Sequence, residues 1–139
     1  MSTDHKYFMV VIFFVVLFFV STSISYISYR RNLSKYKFFL DNYKRSSLFI
    51  DSITKLSENL GFVFFYFKMV IFIRLLKNKK MYATKGVLVD QACYEYMLSF
   101  NPSEMKWMWE WRRNYLIQSA FLAMALLSAY IHSVVFNYQ

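Results

Sequence analysis

Residues 7 to 29 read YFMVVIFFVVLFFVSTSISYISY, a run of 23 positions from Tyr7 to Tyr29 without a formal charge. Wound as an α-helix, the run is about 35 Å long, enough to cross a hydrocarbon layer of about 30 Å. A second run, Tyr115 to Phe136, has the same character, with His132 near its end as its one histidine. Hydrophobic residues are 58% of the chain, above the roughly 45–50% usual for soluble domains. Two Gly and one Pro in 139 residues argue against a many-stranded β protein. The expected class is therefore all-α: an integral membrane protein, with one transmembrane helix over 7–29 and another over 115–136, and a helical middle.

A cleaved signal peptide is the rival reading of the first run, because Ser21-Thr22-Ser23 resembles a small-residue cleavage zone. The flanks argue for an anchor. Before the run stands one lysine, Lys6, partly offset by Asp4; after it come Arg30, Arg31, Lys35, Lys37, Lys44 and Arg45, which resist translocation. Sixteen of the 17 Lys and Arg residues lie between Arg30 and Arg113. The positive-inside rule then puts the middle in the cytoplasm and both termini outside, as a multi-pass protein of the cell inner membrane. The formal charge of +9 favours the anionic lipid headgroups of that face as partners over nucleic acid, given the hydrophobic runs.

The segment 60–76 is ambiguous. Its twelve Leu, Ile, Val or Phe residues contribute about −4 to −7 kcal/mol on the insertion scale, against about +2.5 to +3.5 for the central Lys68. Hydrophobicity alone permits a third span. Charge opposes one, because crossing here exports Lys77, Lys79, Lys80, Lys85, Lys106, Arg112 and Arg113. A helix kept on the cytoplasmic side or at the interface is the expectation. Lys68 then needs water, a lipid phosphate or a carboxylate. Within the region 30–101, Phe49, Ile53, Leu56 and Leu60 recur at helical spacing, with Gly61 as a stop. Val89, Cys93, Tyr96 and Phe100 repeat the spacing after a basic turn from Lys77 to Gly86, and both stripes are expected to face a core.

Asn101-Pro102-Ser103-Glu104 carries helix-start chemistry, with Asn as N-cap, Pro at N1 and Glu at N3. A helix is expected over 102–136, crossing the membrane in its 115–136 part. Its first turns hold Trp107, Trp109, Trp111, Arg112 and Arg113. With Arg30 and Arg31 these are the expected membrane-interface residues, the aromatics at the headgroups and the arginines on phosphates; an aromatic docking surface for a protein is the sharper alternative. Further along, Ser119 and Ala123, then Ala125, Ala129 and Ser133, stand four apart. Such small-residue spacing lets helix backbones approach, within one chain, in a homo-oligomer or with another membrane protein.

Arg112-Arg113-Asn114-Tyr115-Leu116-Ile117-Gln118-Ser119-Ala120 resembles the paired arginines running into an aliphatic last span in the universal stress protein B family of small bacterial inner-membrane proteins. Tyr26 to Leu40, with Arg30-Arg31-Asn32-Leu33 after the first span, is a second, weaker echo. The resemblance implies an N-terminal span, a cytoplasmic middle, a C-terminal span, an association with stress, and no catalytic residues.

No catalytic constellation is legible. Asp41, Asp51, Glu58, Asp90, Glu95, Glu104 and Glu110 are scattered. Cys93 is the only cysteine, His5 and His132 stand far apart, and neither Gly61 nor Gly86 belongs to a phosphate loop. No cofactor or metal is expected. The functional expectation is a non-enzymatic inner-membrane protein, stress-associated, working through protein or lipid contacts at the cytoplasmic face. The alternative is a plasmid- or phage-encoded immunity, exclusion or holin-type protein, because rich use of Phe, Tyr, Lys, Ile and Asn suggests the AT-rich coding common in such elements.

Overall fold

The structure, a computed structural model, describes residues 3–136. In chain order it comprises α1 (Thr3–Arg45), α2 (Ser52–Glu58), a 3-10 turn at Phe62–Phe64, α3 (Val70–Leu76), β1 (Tyr82–Thr84), β2 (Val87–Leu88), α4 (Gln91–Leu98) and α5 (Lys106–Phe136). Helix accounts for 73% of the chain, so the all-α class holds, with one small antiparallel hairpin as the exception. Two helices, α1 and α5, are long and apolar enough to cross a membrane, with mean hydropathies of 2.6 and 1.8 over their most apolar stretches.

α1 does not stop at Arg30 and Arg31. Neither Gly nor Pro interrupts it, and it ends only at Arg45, where Ser47 takes a left-handed conformation (φ 54°). α5 starts at Lys106, not at the expected Pro102. Glu104 does reach back to accept from the Asn101 N–H at 2.8 Å, half of the expected capping box. The backbone there makes three-residue turns, Glu104 N–H to Asn101 O and Met108 N–H to Met105 O, which postpone the α-helix by four residues.

The chain divides into two compact units: Ser28–Arg112, and the flanking segments up to Ile27 and from Arg113. In the flanking unit the two helical segments pair in reverse order. Tyr7 meets Phe136 with ring centres 5.6 Å apart, and Phe8 meets His132 at 6.3 Å. Its buried residues are small or polar: Ser21, Ser25, Asn114 and Ala125. Large apolar side chains, among them Phe13, Phe19, Ile24 and Leu126, face outward. Of the small residues expected to pack, Ala125 is buried and Ser119 half-buried, while Ala123, Ala129 and Ser133 are exposed. Ser21 and Ser25, read in the sequence only as part of a cleavage zone or not at all, are packing residues of this unit at the same four-residue spacing.

The central unit has a core of its own, rich in aromatics and methionine. Trp111, Tyr43, Phe72, Met69, Met97 and Met108 are fully buried. Phe39 stands edge-on to Phe72 at 4.9 Å, and Trp107 to Trp111 at 5.0 Å, the T-shaped geometry that aromatic quadrupoles favour. The stripe from Val89 to Phe100 faces this core as expected: Val89 and Cys93 are buried, and Tyr96 and Phe100 pack against Tyr43 and Phe39.

The segment 60–76 is not one helix. A 3-10 turn and further turns precede the seven-residue α3, which at about 10 Å covers a third of a bilayer core. Lys68 lies within these turns. It is 1% exposed, and its ammonium donates to the carbonyls of Ser57 at 2.5 Å and Glu58 at 3.0 Å, 5.6 Å from the centre of the Tyr36 ring. The expected water, lipid phosphate or carboxylate is replaced by the C-terminal carbonyls of α2, which have no partner inside that helix. The orientation of α2 is the reverse of the expected one. Thr54 and Ser57 face inward, whereas Ile53 and Leu56 of the expected core stripe face outward, Leu56 at 71% exposed. Burying an ammonium requires oxygen atoms around it, and the carbonyls at the C-terminal end of α2 supply them.

Candidate functional site

α3 ends in a Schellman motif. Asn78 sits at φ 52°, its N–H donates to Leu75 O at 2.9 Å, and the Lys79 N–H donates to Arg74 O at 3.0 Å. The chain thereby doubles back and brings Lys79 beside Arg74. Lys77 lies between them in sequence as the C-cap. From the first turns of α5, Arg112 joins the group. Trp109 holds two of its members, with Lys77 Nζ 5.7 Å and the Arg112 guanidinium 5.8 Å from its ring centre, both at cation–π distance. Arg74, Lys77, Lys79 and Arg112, with Tyr66, Val70 and Ile73, line a cleft of about 300 Å³. No carboxylate lines it. Loss of water around the Lys77 ammonium, together with the Arg112 and Lys79 charges, holds its pKa below the ordinary lysine value.

A larger cleft of about 490 Å³ lies over Lys68, with Lys37, Asp41, Glu58 and Tyr36 in its wall. Two of its charges are matched internally. Lys68 is held by carbonyls, and Glu58 pairs with Lys44. Burial pushes the Lys68 ammonium below the usual lysine range, an effect that nearby Glu58 opposes and Lys37 reinforces. Burial also pushes the phenols of Tyr36 and Tyr43 well above their ordinary value of about 10. Glu58 and Tyr29 add to the effect on Tyr36, and Cys93 and Tyr96 to that on Tyr43, whose hydroxyl donates to Phe49 O at 2.9 Å.

No protein-family model, curated protein or solved structure matches the chain.

The residues expected at a membrane interface are distributed differently from one another. Trp107 and Trp111 are core residues. Trp111 is 0% exposed, packs against Tyr29, Tyr36 and Phe65, and donates from its indole N–H to Ser28 O at 3.3 Å. Neither ring has surface left for a headgroup. Trp109, two positions from each and therefore on another face of the helix, keeps 37% exposure. Arg31 is exposed but donates to Glu110 at 2.5 Å, and Glu110 also accepts from Ser28 Oγ at 2.7 Å. Arg30 and Arg113 are exposed, and Arg112 is half-buried in the wall of the basic cleft. Arg74, Lys77, Lys79 and Tyr66 escaped notice as site residues. Asn78 was the available signal, because Asn just past an apolar helical run marks a left-handed C-terminal turn that folds the following residue back.

Proposed function

We propose that this chain is a non-enzymatic protein of a bacterial inner membrane, anchored by the paired segments of α1 and α5, with Ser28–Arg112 as a binding module at the cytoplasmic face. One observation carries the anchor: only 11% and 6% of the most apolar 18-residue stretches of the two helices are buried. The core helix of a water-soluble protein hides such a stretch; here hydrocarbon is the solvent that suits it. The excess of Lys and Arg in 30–113 supports the orientation.

The module has two kinds of surface for contact with lipid or protein. Exposed Ile53, Leu56, Phe64 and Phe67 line an apolar groove at the outward face of α2. The basic cleft is the other. The association with stress rests on the resemblance of Arg112 to Ala120 to the universal stress protein B family. Reporter fusions after Lys85 and after Gln139 test the reading: Lys85 is expected to report cytoplasm and Gln139 the outside. The opposite pair of signals sinks the orientation, and recovery of both fusions in the soluble fraction sinks the anchor.

A further inference from the structure

We infer that the cleft formed by Arg74, Lys77, Lys79 and Arg112 binds a phosphate monoester, the doubly charged group shared by a phosphatidic acid headgroup and by free glycerol phosphate. The inference rests on the proposed binding module and names its ligand. Four cations share one cleft, and no carboxylate among its lining residues neutralises them. The C-terminal end of α3 accounts for two of the four, Arg74 in its last turn and Lys77 at the C-cap, whereas Lys79 arrives through the left-handed turn at Asn78 and Arg112 comes from α5.

Cations held together repel one another, and a multiply charged anion relieves the repulsion at all four. Two arginines provide planar forks that match phosphate oxygens, and the lysines provide point charges beside them. The volume, about 300 Å³, exceeds that of a phosphate alone and leaves room for a glycerol unit against Val70 and Ile73. A singly charged phosphodiester neutralises fewer of the cations, so the site discriminates in favour of the monoester.

The test uses the full chain purified in neutral detergent, with ligand occupancy read by native mass spectrometry. Phosphatidic acid, phosphatidylglycerol and soluble glycerol 3-phosphate are the probes. Phosphatidic acid is expected to bind at least about tenfold more tightly than phosphatidylglycerol. The double variant Arg74→Gln/Lys77→Gln is expected to lose about tenfold or more per cation removed. The charge-matched pair Lys55→Gln/Lys85→Gln, at exposed positions outside the cleft, is expected to change affinity less than twofold. Saturation by glycerol 3-phosphate identifies a free phosphate as sufficient, whereas response to phosphatidic acid alone identifies the lipid as source; both support the site. Equal binding of the two lipids, equal losses in the two double variants, or no binding of either monoester overturns it. These results leave the membrane anchor standing, since the anchor fails only if the fusions described above are soluble.

Discussion

Lys68 shows how a single residue sets the surroundings of a fold. A lysine among Phe, Ile and Leu either leaves the core or brings oxygen atoms into it, because an unpaired buried ammonium costs several kcal/mol. Here it takes two backbone carbonyls and the face of Tyr36. Lys68→Met keeps most of the volume and removes the donor, leaving the Ser57 and Glu58 carbonyls without it. It is expected to leave the stability of the central unit unchanged or raise it by up to about 1 kcal/mol near neutral pH, because the penalty of burying the ammonium goes with the side chain and Ser57 O keeps the Leu60 N–H. The pH dependence has a definite sign. The Lys68 pKa is lowered by folding, so its burial penalty applies below the folded value and fades as pH rises toward the unfolded value of about 10.4. The phenols of Tyr36 and Tyr43 are raised by folding. Their contribution is complete below about pH 10 and is lost as pH climbs further. Denaturation followed by aromatic circular dichroism from about pH 7 to pH 11 should therefore show stability rising toward about pH 10 and falling beyond it. In Lys68→Met the rising limb should disappear and the fall remain. A rising limb that persists in the variant removes Lys68 as its source.

At the scale of elements, periodicity was legible and its consequences were less so. The uncharged runs mark α1 and α5 because nothing in them breaks a helix. The stripe from Val89 to Cys93 predicts the buried face of α4 because no buried charge competes with it. The same reasoning misplaces Ile53 and Leu56, since the face of α2 that is buried carries Thr54 and Ser57, whose hydroxyls donate to the Phe67 and Thr54 carbonyls, backbone atoms with no sequence signature. The tryptophans fail similarly. Trp at the edge of an apolar run reads as a headgroup anchor, but the partners that bury Trp111, namely Tyr29, Tyr36 and Phe65, are legible only once α1 is known to continue past Arg31. Helix ends are the other gap. Ser47 closes α1 in a left-handed conformation that suits Gly or Asn better, and its N–H donates to Lys44 O at 3.0 Å. Ser47→Gly is expected to stabilise the central unit by up to about 1 kcal/mol, set by the left-handed cost to a residue with a Cβ. At Asn78, which already tolerates that conformation, Gly is expected to change less. Denaturant midpoints of the two variants check this, and a loss of stability in Ser47→Gly contradicts it.

For the whole molecule, the division of charge mirrors the division into units. Fifteen of the 17 basic and seven of the eight acidic residues lie in 28–112, while the flanking segments are almost uncharged and turn their large side chains outward. The central unit has a core of its own, in which Trp111, Tyr43, Phe72 and Met97 are all fully buried. A water-soluble version of the chain should therefore be obtainable by changing only the flanks. Exposed Phe13, Phe19, Ile24, Ile27, Leu126, Leu127 and Tyr130, with their exposed apolar neighbours, would become Glu, Lys or Gln. Buried Ser21, Ser25 and Ala125 would stay, so that the flanking segments of α1 and α5 keep their small-residue packing. The expected result is a chain that leaves the membrane fraction, keeps the near-ultraviolet circular dichroism of its packed aromatics, and binds anionic vesicles in a way that salt reverses, as peripheral basic surfaces do. The original chain should resist extraction by alkaline carbonate. If the altered chain dissolves but its aromatic signal collapses, the central core needs the bilayer to form, and the two units are one folding problem rather than two.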